Sequence, residues 1–225
     1  MRPLDLILFS GTDLISDVVK AGEYISLVEN KGVEKILFSH IGIVVNSEVL
    51  PSVKELQKDK FYILESTSNI SSLDGPLNVE GNRKFGVQIR DLQSVIQTYK
   101  GKVYYGSLIN YPTTVDVNVI KNVYDKYINC YYDLNFIDLL ATVFKCFRRQ
   151  RKCFDVIVHD IDKLFIKNYD KDAPDNMLFC SQLVAIILRD VGVLPSDVKV
   201  LNYLPEDVFG YRNGLKIVEE FNVLK

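Results

Sequence analysis

Three features of the sequence predict an α+β fold in a single domain over residues 1–225. Short apolar, β-branched runs crowd the first half, while runs with helical periodicity fill the second. Hydrophobic residues make up 48% of the 225 positions, enough for one compact core.

The elements follow in order. "LDLILF" (4–9) reads as a strand ending at Gly11, and "TDLISDVVKAGEYISLV" (12–28) as a helix with Thr12 or Asp13 as N-cap. "ILFSHIGIVV" (36–45) reads as a buried strand interrupted by one polar residue, His40. After the polar stretch "NSEVLPSVKELQKDK" comes a second apolar strand, "FYILEST" (61–67), and the short connection predicts antiparallel neighbours. Residues 68–86, rich in Ser, Asn, Gly and Pro, read as a long loop of the kind that covers a site or moves. "VQIRDLQSVIQTY" leads through Gly101 to "KVYYGSLI", a third clear strand. "VDVNVIKNVYDKYIN", "LNFIDLLATVFKCF" and "FDVIVHDIDKLFIK" each carry helical periodicity. The strongest helix is "MLFCSQLVAIILRDVGV" (177–193), stopped near Gly192 and Pro195.

Charge excludes one class of partner. With 27 basic and 29 acidic residues well mixed, the net charge of -2 creates no field that would draw the chain to nucleic acid. The segment "KCFRRQRKC" (145–153) places five cations around an apolar pair. Such a run is a solvated helix end or loop, or else a contact for anionic lipid, which attracts each cation by about 1 kcal/mol. No stretch reads as a signal peptide or membrane span, so the expected compartment is intracellular and cytoplasmic. Cys130, Cys146, Cys153 and Cys180 form no CxxC pair, so no zinc or redox motif is spelled out and neither metal nor cofactor is expected. Nothing in the pattern specifies an oligomeric state. The richness in Lys, Asn, Ile and Tyr suits an AT-biased genome, such as a viral one.

Three residues could carry chemistry. Cys180 stands where the periodic helix begins, and the positive end of a helix dipole with its unpaired amides favours a thiolate. The bland alternative is a small buried residue, as most free cysteines are. A thiolate nucleophile needs an imidazole to protonate the leaving group, and the chain has two histidines. His159, beside Asp160 on a surface-like helix, reads as solvent-exposed, which leaves His40, otherwise a core histidine. Glu65, at the end of "FYILE", could accept from the far ring nitrogen if the two strands pair. Taken singly it would be a solvated edge residue.

The order "DLILFSGTDLISDVV…FSHIGIVV…YILEST…LFCSQLVAIIL…LPEDVF" resembles the circularly permuted branch of the NlpC-type papain-like superfamily. That branch includes bacterial lipid amidases, the lecithin:retinol acyltransferase group and homologues in large DNA viruses. The resemblance rests on an aspartate-led strand, the "SHIGI" strand, a strand-end carboxylate, the "FCSQL" segment and a following "PEDVF". It implies a permuted papain-like fold, a small antiparallel sheet against helices with the nucleophile at a helix N-terminus. It assigns the nucleophile to Cys180, the base to His40 and the orienting group to Glu65. One departure is Gln182, which stands where many relatives carry Glu and cannot ionise.

The implied chemistry is thiolate attack on an amide or ester carbonyl, through a thioester, ending in hydrolysis or acyl transfer. The backbone amide of Cys180 would stabilise the oxyanion, with a second donor expected from the turn Ser10 to Asp13. The substrate class implied is a fatty-acyl, lipid-linked or peptide amide or ester. Phe179, Tyr104, Tyr105, Tyr131 and Tyr132 are candidates for an apolar groove, or else ordinary core. The competing reading is a non-catalytic lipid- or protein-binding module on the same scaffold, a viral host-interaction factor or virion-associated protein acting through Arg148, Arg149 and Arg151.

Overall fold

A computed structural model describes residues 1–11, 38–67, 76–82, 84–131, 178–200, 203, 205–209 and 216–225. These residues build one six-stranded sheet from β1 (Leu6–Gly11), β2 (His40–Val45), β3 (Tyr62–Thr67), β4 (Gly86–Asp91), β5 (Gly101–Leu108) and β6 (Val218–Val223). The strand order is β4-β3-β2-β1-β5-β6, with every neighbouring pair antiparallel. The described helices are α1 (Leu92–Thr98), α2 (Val117–Tyr127) and α3 (Cys180–Asp190). The class is α+β, as the sequence predicts, and β2 and β3 are the antiparallel neighbours expected of them.

The continuous apolar run of β1 is explained by burial on both faces. Leu6 and Leu8 join Ile41, Ile43, Val45 and Leu64 in the larger core, whereas Ile7 and Phe9 join Val44, Ile63 and Val103 in a smaller one on the opposite face. Helix α3 lies on the larger face against β2 and β3, and every residue from Cys180 to Leu188 is buried. A helix apolar on all sides belongs in such a central position. Its end is a Schellman motif: Gly192 takes a φ of 78°, Val193 N donates to Leu188 O and Gly192 N to Arg189 O.

Three elements went unrecognised in the sequence. β4 and α1 both fall in "VQIRDLQSVIQT", where a strand of period two passes directly into a seven-residue helix capped by Asp91, which accepts from Ser94 N at 2.7 Å. Two short elements with different periods and no intervening turn blur each other's signal. β6 corrects the expected order of strands first and helices later, because the chain returns after α3 to pair with β5. Its alternation is hidden by the register shift between Gly106 and Leu108. The expected helix over 12–28 and the expected helices between 132 and 177 lie outside the described residues, as does 68–75 of the long loop. No described helix is long and apolar enough to cross a membrane.

Candidate active site

β2 begins and β3 ends at the same end of the sheet, because the two strands are antiparallel. His40 is the first residue of β2 and Glu65 lies near the end of β3. Gly42, two residues after His40, has no Cβ to press on β3 at Ile63 and Glu65. A Cβ there would stand 2.5 Å from Ile63 Cδ1 and 3.2 Å from Glu65 Cβ. Across the pair of strands the imidazole reaches the carboxylate, with His40 Nε2 2.7 Å from Glu65 Oε2. The Phe9 ring, centred 5.1 Å from the imidazole, closes the apolar side.

Cys180 comes to the same place from the other layer. It opens α3, and its thiol is close enough to His40 for its charge and hydrogen-bonding capacity to raise the imidazole pKa. With Nε2 engaged by the carboxylate, Nδ1 is the ring nitrogen left for the thiol. Polar contacts pin the approach to the helix. Ser66 Oγ on β3 donates to Leu178 O at 2.6 Å, Leu178 N donates to Tyr131 O at 3.0 Å, and Ser181 Oγ donates to Tyr203 O at 2.5 Å. Gln182 finds its use here as well. Its Oε1 accepts from Phe179 N at 3.0 Å, the N3-to-N-cap half of a capping box, and a neutral amide does this without placing a negative charge beside the sulfur.

Glu65 is fully buried and keeps its charge through two partners. Oε2 faces His40, and Oε1 accepts from Arg90 Nε on β4 at 2.5 Å. Burial alone would raise the Glu65 carboxyl, but the Arg90 charge and the His40 hydrogen bond dominate and bring it down to about 2. For His40, burial works to lower the pKa. The negative charge and hydrogen bond of Cys180, then the hydrogen bond and charge of Glu65, overcome this and push it up to about 9. The imidazole side chain retains 15% exposure, so it is sheltered yet within reach of solvent.

Read outward, the line is guanidinium, carboxylate, imidazole and thiol, in which the carboxylate and the imidazole each have an interacting neighbour on either side. Such an array can transfer a proton at the imidazole without leaving a buried charge unpaired. The structure thus brings Cys180, His40 and Glu65 together, and adds Arg90, which the sequence reading passed over. Its signal was present in "VQIR", where Gln88 and Arg90 alternate with Val87 and Ile89 and would face Glu65 once β3 and β4 pair.

Other expectations need correction. Tyr104 does not line a groove: it is 2% exposed and packs edge-on against Phe38 and Phe221 in the core. Phe179 is likewise buried, and the Tyr105 hydroxyl donates to Asp5 Oδ2 at 2.5 Å near the start of β1. Tyr131, at 59% exposure, is the described member of that aromatic set open to solvent. Within the turn expected to supply a second oxyanion donor, Gly11 N is already engaged, donating to Ser39 Oγ at 3.0 Å, and Ser10 is paired with Lys102 in the sheet. Tyr132, Cys146, Cys153, His159 and the basic segment 145–153 lie outside the described residues, as do Thr12 and Asp13. Among the described residues no cluster of three or more His, Cys, Asp or Glu could hold a metal ion. No protein-family model matches the chain, and no curated protein matches it in sequence.

Proposed function

We propose that the chain is a cysteine hydrolase or acyltransferase that cleaves an amide or ester bond through Cys180, His40 and Glu65. The observation that carries this reading is the position of His40, hydrogen-bonded to a buried carboxylate and close enough to a cysteine at a helix N-terminus for the two to interact electrostatically. Single residues of these types are common in cores, whereas the joined arrangement is what nucleophilic catalysis requires. The resemblance to the permuted papain-like branch supports the same assignment and implies a fatty-acyl, lipid-linked or peptide substrate.

In the reaction, the Cys180 thiolate forms a bond to the acyl carbon and the carbonyl π-pair moves onto oxygen. The first-turn amides of Cys180 and Ser181, which have no intrahelical acceptor, would serve as donors to that oxyanion. As the intermediate collapses, the bond to the leaving amine or alcohol breaks and His40 supplies its proton. His40 then takes a proton from water or from an acceptor alcohol, whose oxygen attacks the thioester and releases Cys180. Glu65 keeps the ring oriented and stabilises its charged form throughout.

The test uses p-nitrophenyl decanoate as an activated acyl donor. A burst of p-nitrophenolate is expected, with a hydroxylamine-labile acyl adduct mapped by mass spectrometry to Cys180 and not to Cys130. Both should disappear in Cys180→Ala and fall by about a hundredfold or more in His40→Ala. Equal acylation of both thiols, or an unchanged burst in Cys180→Ala, would remove the proposal.

A further inference from the structure

We infer that Arg90 is a positioning residue of this site: its guanidinium holds Glu65 ionised and in one orientation, so that Glu65 can aim the His40 ring at Cys180. The inference rests on reading Cys180 and His40 as a catalytic pair, and it adds a fourth residue that acts through Glu65.

The sheet register explains how Arg90 gets there. Glu65 stands opposite Gln88 and Ile63 opposite Arg90, so Arg90 is the diagonal neighbour of Glu65 on the same face. A long side chain spans that diagonal, and Nε meets Oε1 while Oε2 remains for His40. Gln88, although directly opposite, does not substitute, since its Nε2 is buried with no hydrogen-bond partner among the described residues. A carboxylate with one oxygen per partner cannot swing without breaking a buried charged contact.

The chain also keeps this cation dry, although β4 is the edge of the sheet. The turn Asn78 to Asn82 pairs with the outer edge of β4 at Ile89 and Arg90. Asn78 forms an isolated bridge with Arg90, Val79 N donates to Ile89 O at 2.9 Å, and the Asn78 side-chain oxygen accepts from Glu80 N and Asn82 N. Arg90 is 7% exposed. The pair with Glu65 is therefore a buried one, unlike the exposed pairs that contribute little. The elements around the pair contribute Cys180 from α3 toward His40, the uncharged Phe9 ring from β1, and Tyr99 after α1, whose ring lies 4.8 Å beyond Phe9. Arg90 is thus the described cation in contact with the Glu65 carboxylate besides His40.

The experiment follows the His40 ring signal by NMR, together with iodoacetamide alkylation of Cys180, from pH about 3 to 8 in wild type, Arg90→Met, Arg90→Lys, Glu65→Gln and the double variant Glu65→Gln with Arg90→Met. In Arg90→Met, Glu65 should take up a proton between pH about 4 and 6, giving the His40 curve an added acid inflection and slowing alkylation there by about tenfold. Arg90→Lys should restore the curve. In the Glu65→Gln background the Met substitution should change alkylation by less than about twofold, because Arg90 acts through Glu65. The double variant removes both buried charges at once, so it reports even if Arg90→Met alone fails to fold.

A folded Arg90→Met with wild-type curves, or an effect equally large in the Glu65→Gln background, would overturn the role of Arg90. The catalytic reading fails by a different result, unchanged Cys180 alkylation in His40→Ala.

Discussion

His40 shows at the residue scale how environment sets chemistry. Its raised pKa is the joint work of a thiol and a carboxylate acting against burial, so removing either partner should let it fall from about 9 toward its ordinary 6.5. With two histidines in the chain, the ring signals are simple to follow. A lower His40 midpoint in Cys180→Ala and in Glu65→Gln is the expected result, and an unmoved midpoint would mean that the contacts do not persist in solution. Taking away one partner of the buried Glu65–Arg90 pair should also cost stability, about 3 kcal/mol by urea titration for Arg90→Met. Cys180, His40 and Glu65 were legible in the sequence because reactive residue types stood out against apolar runs. Arg90 was not, because its meaning depends on a strand pairing that no local pattern announces.

Elements matter here through what they leave out. Gly42 lets Ile63 and Glu65 lie close over β2. Gly42→Ala should destabilise the fold by about 1–3 kcal/mol and also lower the His40 midpoint, since the added methyl presses on the residue that holds the ring. Gly86 is more constrained, with a φ of 119° and a position where a Cβ would stand 2.1 Å from Cys130 O. There an alanine meets backbone, which cannot rotate aside, and a loss of about 3 kcal/mol in a thermal or urea melt is expected. The two substitutions differ in readout, because only the first borders the site. β2, β3, β5 and α3 were legible from apolar run and period. β4, α1 and β6 were not, since a strand fused to a short helix and a bulged edge strand lack a clean period.

For the whole molecule, the site ties stability to pH. The raised His40 pKa contributes stability that is complete below about 6.5 and is lost as pH rises through about 9. The depressed Glu65 pKa contributes stability that is complete above about 4.5 and is lost as pH falls through about 2. Both contributions are full between about 4.5 and 6.5, where the urea midpoint should be highest. In Glu65→Gln the acid-side loss should flatten. The layered arrangement, a sheet with the central helix α3 on its larger face, is what brings a residue from late in the chain to one near its beginning. That closure across 140 positions was legible through chemistry, since a thiolate nucleophile needs one of only two histidines, and through the resemblance, because nothing local in either segment specifies the other.

The most direct measurement is the rate of alkylation at each cysteine, resolved by mass spectrometry at pH about 6.5, in wild type and in His40→Ala. Burial pushes the Cys130 thiol up, so it serves as an internal unreactive reference. Cys180 is expected to react far faster than Cys130 and to lose at least about tenfold of that rate without His40. A Cys180 that reacts no faster than Cys130, or equally fast without His40, would contradict it.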